Sequence, residues 1–211
     1  MNNHKDNWYD RHLLPYIIDL ACGIKPVRHQ REKVIPLARG RVLEIGVGTG
    51  LNMAHYDKSK VGAITALDPA LQMHRLAKKR IARAGLDVDL VGLSAEQIPL
   101  EDASFDSVVI TYTLCSIPDP VTALKEMRRV LKPDGQLLFC EHGRAPDESV
   151  QRWQDRLTPI WMKIGGGCHL NRDIPALLHD AGFACRELQM MYLPGPPPLT
   201  YNYWGEAVRT S

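Results

Sequence analysis

Residues 41–50 read Arg-Val-Leu-Glu-Ile-Gly-Val-Gly-Thr-Gly, and no other stretch of the chain restricts its possible folds so strongly. Residues 41–45 have the apolar character of a buried strand, and three glycines at alternate positions follow directly. Glycine permits a sharp turn and lets the backbone approach a ligand where a Cβ would block it. A helix is expected from near Leu51. Alternation then continues with a strand over 63–67 ending at Asp68 and a helix after Pro69 stopped by Gly85. Strands over 88–91 and 105–111 follow, then a helix over 120–131, a turn at 132–135 and a strand over 136–140. This is the pattern of a parallel sheet covered by helices on both faces. The unbroken apolar run Val108-Val109-Ile110 suits a strand buried on both sides.

The flanks read differently. Over 8–22, Leu13, Leu14, Ile17, Ile18 and Ala21 recur at helical spacing with Gly23 as a stop, and Pro26 and Pro36 punctuate a second helical piece. After Glu141-His142 the regular alternation lapses. An inserted helix over 149–164, a glycine-rich loop over 165–168 and a helix over 173–181 stopped by Gly182 come next. A sixth strand over 186–192, a rigid turn at 194–198 and a last strand over 201–208 complete the chain. The 211 residues fit one α/β domain: a seven-stranded, mostly parallel sheet with helices on both faces and the last strand antiparallel. Residues 1–40 would form a helical lid, 41–143 the ligand-binding core, 144–172 a second lid, and 173–211 the closing helix and strands.

Composition excludes several classes. A net charge of +2 is too slight for a nucleic-acid binder, and Lys78-Lys79-Arg80 reads as a solvated helix face. The apolar stretch 13–22 is broken by Pro15, Tyr16 and Asp19 and falls far short of the roughly 20 residues of a membrane span, so no integral membrane segment is expected. Cys22, Cys115, Cys140, Cys168 and Cys185 are odd in number and lack CxxC spacing, which predicts reduced thiols in a cytoplasmic protein. Cys168-His169 resembles half a metal site without a partner pair, so packing is the expected role and no metal is expected.

The glycine loop separates two cofactor classes. A dinucleotide site wants a third glycine where this chain has Leu51, and Glu44 suits a cationic ligand better than a pyrophosphate. S-adenosylmethionine carries an amino group and a sulfonium and no phosphate, so it is the expected cofactor, with S-adenosylhomocysteine as product. Gly46, Gly48 and Gly50 would cradle its methionine portion with Glu44 near the ammonium, and Asp68 would accept the ribose hydroxyls.

On these residues the central region resembles the class I methyltransferases. The resemblance rests on 42–50, Leu67-Asp68-Pro69, Ser94-Ala95-Glu96-Gln97-Ile98-Pro99, 104–108 and 129–135. It implies a Rossmann-like fold, Ser94, Ala95 and Glu96 flanking the adenine, and Pro69 and Thr111 beside the cofactor. In such enzymes an Asp commonly stands where this chain has Ser94. A narrower resemblance, carried by 113–116, Glu141-His142 and 167–172, is to the thiol S-methyltransferase group related to the mammalian methyltransferase-like enzymes. Those relatives have a hydrophobic N-terminal anchor that is not read here.

A thiol acceptor needs a proton acceptor or a field favouring thiolate. His142 is the expected base, Glu141 would orient it or the substrate, and Cys115 lies beside the same strand ends. Tyr9, Trp153 and Trp161 would line an apolar acceptor pocket beneath the two lids, and His169, Asn171 and Arg172 would close it, with Asn171 and Arg172 also placed to cap the next helix. The expected partner is a small-molecule acceptor, with the chain a monomer or homodimer. Phospholipid or quinone methylation, arsenic methylation through Cys22, Cys115 and Cys168, a non-catalytic cofactor-binding role and nicotinamide chemistry are the alternatives.

Overall fold

The computed structural model describes residues 8–210. Residues 1–7 of the expected N-terminal lid, and residue 211, lie outside them. The strands are β1 Gly40–Ile45, β2 Val61–Leu67, β3 Val88–Val91, β4 Phe105–Thr111, β5 Leu131–His142, β6 Phe183–Tyr192 and β7 Tyr201–Arg209. They form one sheet in the order β3-β2-β1-β4-β5-β7-β6. All pairings are parallel through β5, whereas β7 runs antiparallel to both β5 and β6. Strand order reverses between β1 and β4, and in open α/β sheets ligands bind beyond the carboxyl ends at that point. Ile45 pairs with Ile110 in register, so Gly46 and the segment after Thr111 leave the sheet side by side.

The N-terminal helical region is α1 Trp8–His12, α2 Leu14–Gly23 and α3 Lys25–Val34, so the helix expected over 8–22 is divided at Leu13. The remaining helices are α4 His74–Ala84, α5 Pro120–Val130, α6 Glu148–Ile164, α7 Ile174–Asp180 and the single turn α8 Pro197–Thr200. Two-residue periodicity sorts the core onto both faces of the sheet. Val108 and Ile110 join the cluster containing Leu124 and Met127 of α5 and Leu178 of α7. Val109 joins Val42, Ile64 and Leu138 on the other side, where Val34 of α3 and Met53 and Tyr56 complete the layer.

Three further expectations change. The helix foreseen near Leu51 is only a 3₁₀ turn, Leu51–Ala54. The chain must return to β2 by Val61, and Asp57 bends it by accepting from the Ser59 N–H and hydroxyl. The turn at 132–135 is absorbed into β5, whose Leu131 already pairs with Phe105 before a register irregularity. The proline-rich turn ends in α8, its prolines lying in the first turn, where a missing N–H breaks no helical bond.

Candidate active site

Asp68 directly follows β2. Burial raises its carboxyl above the ordinary range, yet Oδ2 accepts from Gly48 N at 2.7 Å and Oδ1 from Ala70 N at 2.8 Å. Two backbone donors thus fix the carboxylate beside the glycine loop, and each oxygen keeps a further lone pair. Gly48 has φ +53°, and a Cβ there would meet no atom closer than 3.9 Å, so the loop leaves open space above it. Gly46 is constrained differently: with φ +69°, a Cβ would collide with the Thr113 side chain. The loops after β1 and β4 therefore touch only because residue 46 is glycine.

Glu44 does not face that open space. It is fully buried, with Oε1 accepting from Asn52 Nδ2 at 3.1 Å and Oε2 from Tyr56 OH at 2.7 Å. Burial pushes its carboxyl up to about 7, against those two bonds and nearby Arg31. Asn52 also donates to Thr111 Oγ1 at 3.0 Å, so Glu44 and Thr111 brace the cleft floor through Asn52. Ser94 Oγ donates to Glu96 Oε2 at 2.9 Å, and Glu96 Oε1 accepts from Asp119 N at 2.8 Å. With Ala95 buried between them and Pro69 exposed beyond Asp68, this segment ties the β2–β3 edge to the start of α5.

Tyr112, directly after β4, is held at φ 52°. Such a conformation in a bulky residue is costly and persists where surroundings impose it. Here the hydroxyl donates to Asn202 Oδ1 at 2.6 Å and the Arg31 guanidinium lies 4.8 Å above the ring. The strained turn sends Thr113–Ser116 across the strand ends. Buried Glu141 receives that segment: Oε1 accepts from Thr113 N at 2.8 Å and Leu114 N at 3.0 Å, while Oε2 has no partner among the described residues. Burial pushes the Glu141 carboxyl up to about 7.

Beside it a cluster assembles from three distant segments. His142 Nε2 lies 3.1 Å from Cys168 Sγ, and the Cys115 sulfur lies within 4.8 Å of both. Cys115 and His142 hold the Cys168 thiol far below its ordinary value, whereas the neighbouring Cys168, with burial, drives the Cys115 thiol up. Burial disfavours the His142 cation, but Cys168 and Glu141 outweigh it and its pKa rises. His169 donates its backbone N–H to Cys115 O at 2.9 Å, and the Arg172 guanidinium donates to Leu114 O. Trp161 neighbours Cys168, and Tyr9 OH donates to Ile164 O at 3.1 Å, seating α1 on the end of α6.

Several assignments change. Trp153 is two turns from Trp161 on α6, 54% exposed, and lies against Pro197 and Pro198 rather than in the cleft. Asn171 points outward to Asp155 Oδ1 at 2.8 Å. Neither Asn171 nor Arg172 caps α7; Asp173 does, accepting from Ala176 N at 3.1 Å. His142 faces Cys168 rather than open cleft, and Cys168, read from sequence as packing, stands at the centre of the cluster. Sequence reasoning also missed Asp19, whose carboxylate binds Arg80 at 2.7 Å and Thr49 Oγ1 at 2.5 Å, clamping α2 and α4 to the glycine loop. No local signal marks such a pair; both lie on helices that read as ordinary amphipathic surface.

A methyltransferase-domain family model matches residues 43–139. The thiol S-methyltransferase TMT1B of Rattus norvegicus is 35% identical over 80% of this chain and 70% of its own. The human TMT1B is 36% identical over 82% of this chain and 72% of its own. Among solved structures, a methyltransferase from Bacillus halodurans superposes with a TM-score of 0.66 at 19% identity, covering 86% of this chain and 95% of that one. That likeness concerns the fold.

Proposed function

This chain belongs to the thiol S-methyltransferase family of class I methyltransferases, and on that premise we propose that it methylates the sulfur of sulfide or a small alkyl thiol from S-adenosylmethionine. The observation that carries the acceptor assignment is the Cys115–His142–Cys168 cluster, set at the ends of β4 and β5 beside the glycine loop.

The residues present fit the cofactor. Gly46, Gly48 and Gly50 would hold its methionine portion in the space left above Gly48, and Asp68, already oriented by two backbone N–H groups, would accept the ribose hydroxyls. Ser94, Ala95 and Glu96 would border the adenine, with Pro69 and Thr111 alongside. The cofactor supplies an electrophilic methyl carbon on a sulfonium. Transfer forms a bond from the acceptor sulfur to that carbon, returns the broken bond's electron pair to the cofactor sulfur, and releases the acceptor proton.

The protein's contribution is alignment and exclusion of water. Glu141 and Arg172 fix the loop bearing Cys115, and Trp161 with the α1–α6 contact closes the cleft. Because the thiolate is the nucleophile, the surroundings must favour anionic sulfur; the Arg172 guanidinium, held on Leu114 O beside Cys115, supplies that field. Incubation of the purified protein with S-adenosylmethionine and a panel of thiols, amines, phenols and dispersed phospholipid tests the reading. S-adenosylhomocysteine and a methyl thioether should form with small thiols. Product only with phospholipid or phenolic acceptors refutes it.

A further inference from the structure

The loop after β4, the end of β5 and the loop after α6 each deliver one soft donor to a single point. The two sulfurs of Cys115 and Cys168 and the imidazole nitrogen of His142 all lie within 4.8 Å of one another. We infer that these three side chains bind one thiophilic divalent cation of the zinc class, leaving a fourth position open for the acceptor sulfur.

The spacing suits such an ion. Tetrahedral zinc with Zn–S near 2.3 Å and Zn–N near 2.0 Å separates its ligands by roughly 3.5–3.8 Å. The His142 Nε2 to Cys168 Sγ distance of 3.1 Å needs only a small outward movement to reach that value. Two thiolates and an imidazole select soft or borderline ions over magnesium or calcium, which prefer oxygen ligands. Three protein ligands with an open position is the pattern of catalytic rather than structural zinc.

The site is prepared without the ion. Cys115 is 3% exposed, and its loop is pinned by Glu141 Oε1, by Arg172 on Leu114 O and by His169 on Cys115 O. Such outer contacts orient metal ligands. Charge also balances, since two thiolates neutralise a dication.

The inference rests on the thiol reading for what fills the fourth position, but not for whether the ion binds. An acceptor R–SH would coordinate as thiolate and release its proton to solvent. Its sulfur then forms the bond to the methyl carbon while the carbon–sulfonium bond breaks, its electron pair staying with the departing S-adenosylhomocysteine. The neutral thioether is a weaker ligand than thiolate and leaves the ion.

The test uses the full chain freed of metal and titrated with Co²⁺, followed by its sulfur-to-cobalt charge-transfer absorption. One ion per chain, displaced by Zn²⁺, is expected. Cys115→Ser and Cys168→Ser should each weaken binding more than about tenfold, and the ion should shield both cysteines of the unmodified protein from alkylation. Shielding requires no variant to fold. Adding a small alkyl thiol should shift the band. Absence of stoichiometric charge-transfer absorption, or binding indifferent to both substitutions, would each overturn the inference; a band unmoved by the thiol while Co²⁺ is bound would overturn only the thiol as occupant of the fourth position. Failure of the thiol reading shows separately, as no methyl thioether from thiols although Co²⁺ binds at these three side chains.

Discussion

Replacing Glu44 by glutamine should remove a pH dependence from the protein's stability. The carboxyl is fully buried, bonded to Asn52 and Tyr56, and pushed by burial from 4.5 up to about 7, with Arg31 opposing the shift and Asp68 adding to it. A group whose folded pKa exceeds its unfolded value is protonated more readily in the folded state. Its contribution is therefore fully present below about pH 4.5 and is lost as pH rises through 7. At about 1.4 kcal/mol per unit, the loss between those limits is on the order of 3 kcal/mol. Glutamine keeps an acceptor for Asn52 and turns a donor toward Tyr56, whose hydroxyl can rotate to accept, at a cost of roughly 1 kcal/mol in hydrogen bonding. Urea denaturation of the cofactor-free protein between pH 5 and 8 measures the difference. The variant should be comparable to or weaker than the parent near pH 5 and more stable near pH 8, with the m-value unchanged. Asp68 and Glu141 are shifted the same way and leave a residual slope in both proteins, so only the difference between curves is diagnostic. Parallel curves would refute the assignment of a buried, proton-holding Glu44.

Asp68→Ala should cost about 1.5–3 kcal/mol of cofactor binding, a ten- to hundredfold weaker affinity for S-adenosylhomocysteine by calorimetry; unchanged affinity would remove Asp68 from the site. Asp19→Ala breaks the clamp of α2 and α4 on Thr49, and cleavage near Gly23 should accelerate in limited proteolysis. If the cleavage rate matches the parent, the clamp does not hold α2. Trp161→Ala should reduce methyl transfer at least several-fold, while Trp153→Ala, far along α6 against Pro197 and Pro198, should leave kcat/KM within about twofold. The reverse order would restore Trp153 to the acceptor pocket.

How much of this was legible beforehand follows from the range of the forces involved. The limits of β3 and β4, the stop of α4 at Gly85 and the start of α5 behind Asp119 rest on periodicity, glycine at positive φ and a side-chain cap within three residues. Such signals act over a turn or a strand and survive in a single sequence. The four-residue turn after Gly50 escaped because its length is set by the distance to β2, not by local propensity. Trp153 and Trp161 looked equivalent by type, and only the docking of α6 separates one at the cleft from one at the rim.

The sequence by itself determined the α/β alternation, the glycine loop, Asp68 at the end of β2 and hence the class of cofactor, because each depends on neighbours in the chain. It also displayed Cys115, His142 and Cys168, but as a thiol beside the strand ends, an expected base and a packing residue. Only the tertiary structure decided that they meet. Parallel pairing of β4 with β5 brings Glu141 under the Cys115 loop, and the return of the chain after α6 lays Cys168 against His142. Contacts between segments so far apart are fixed by strand register and helix packing, which no short stretch of sequence encodes.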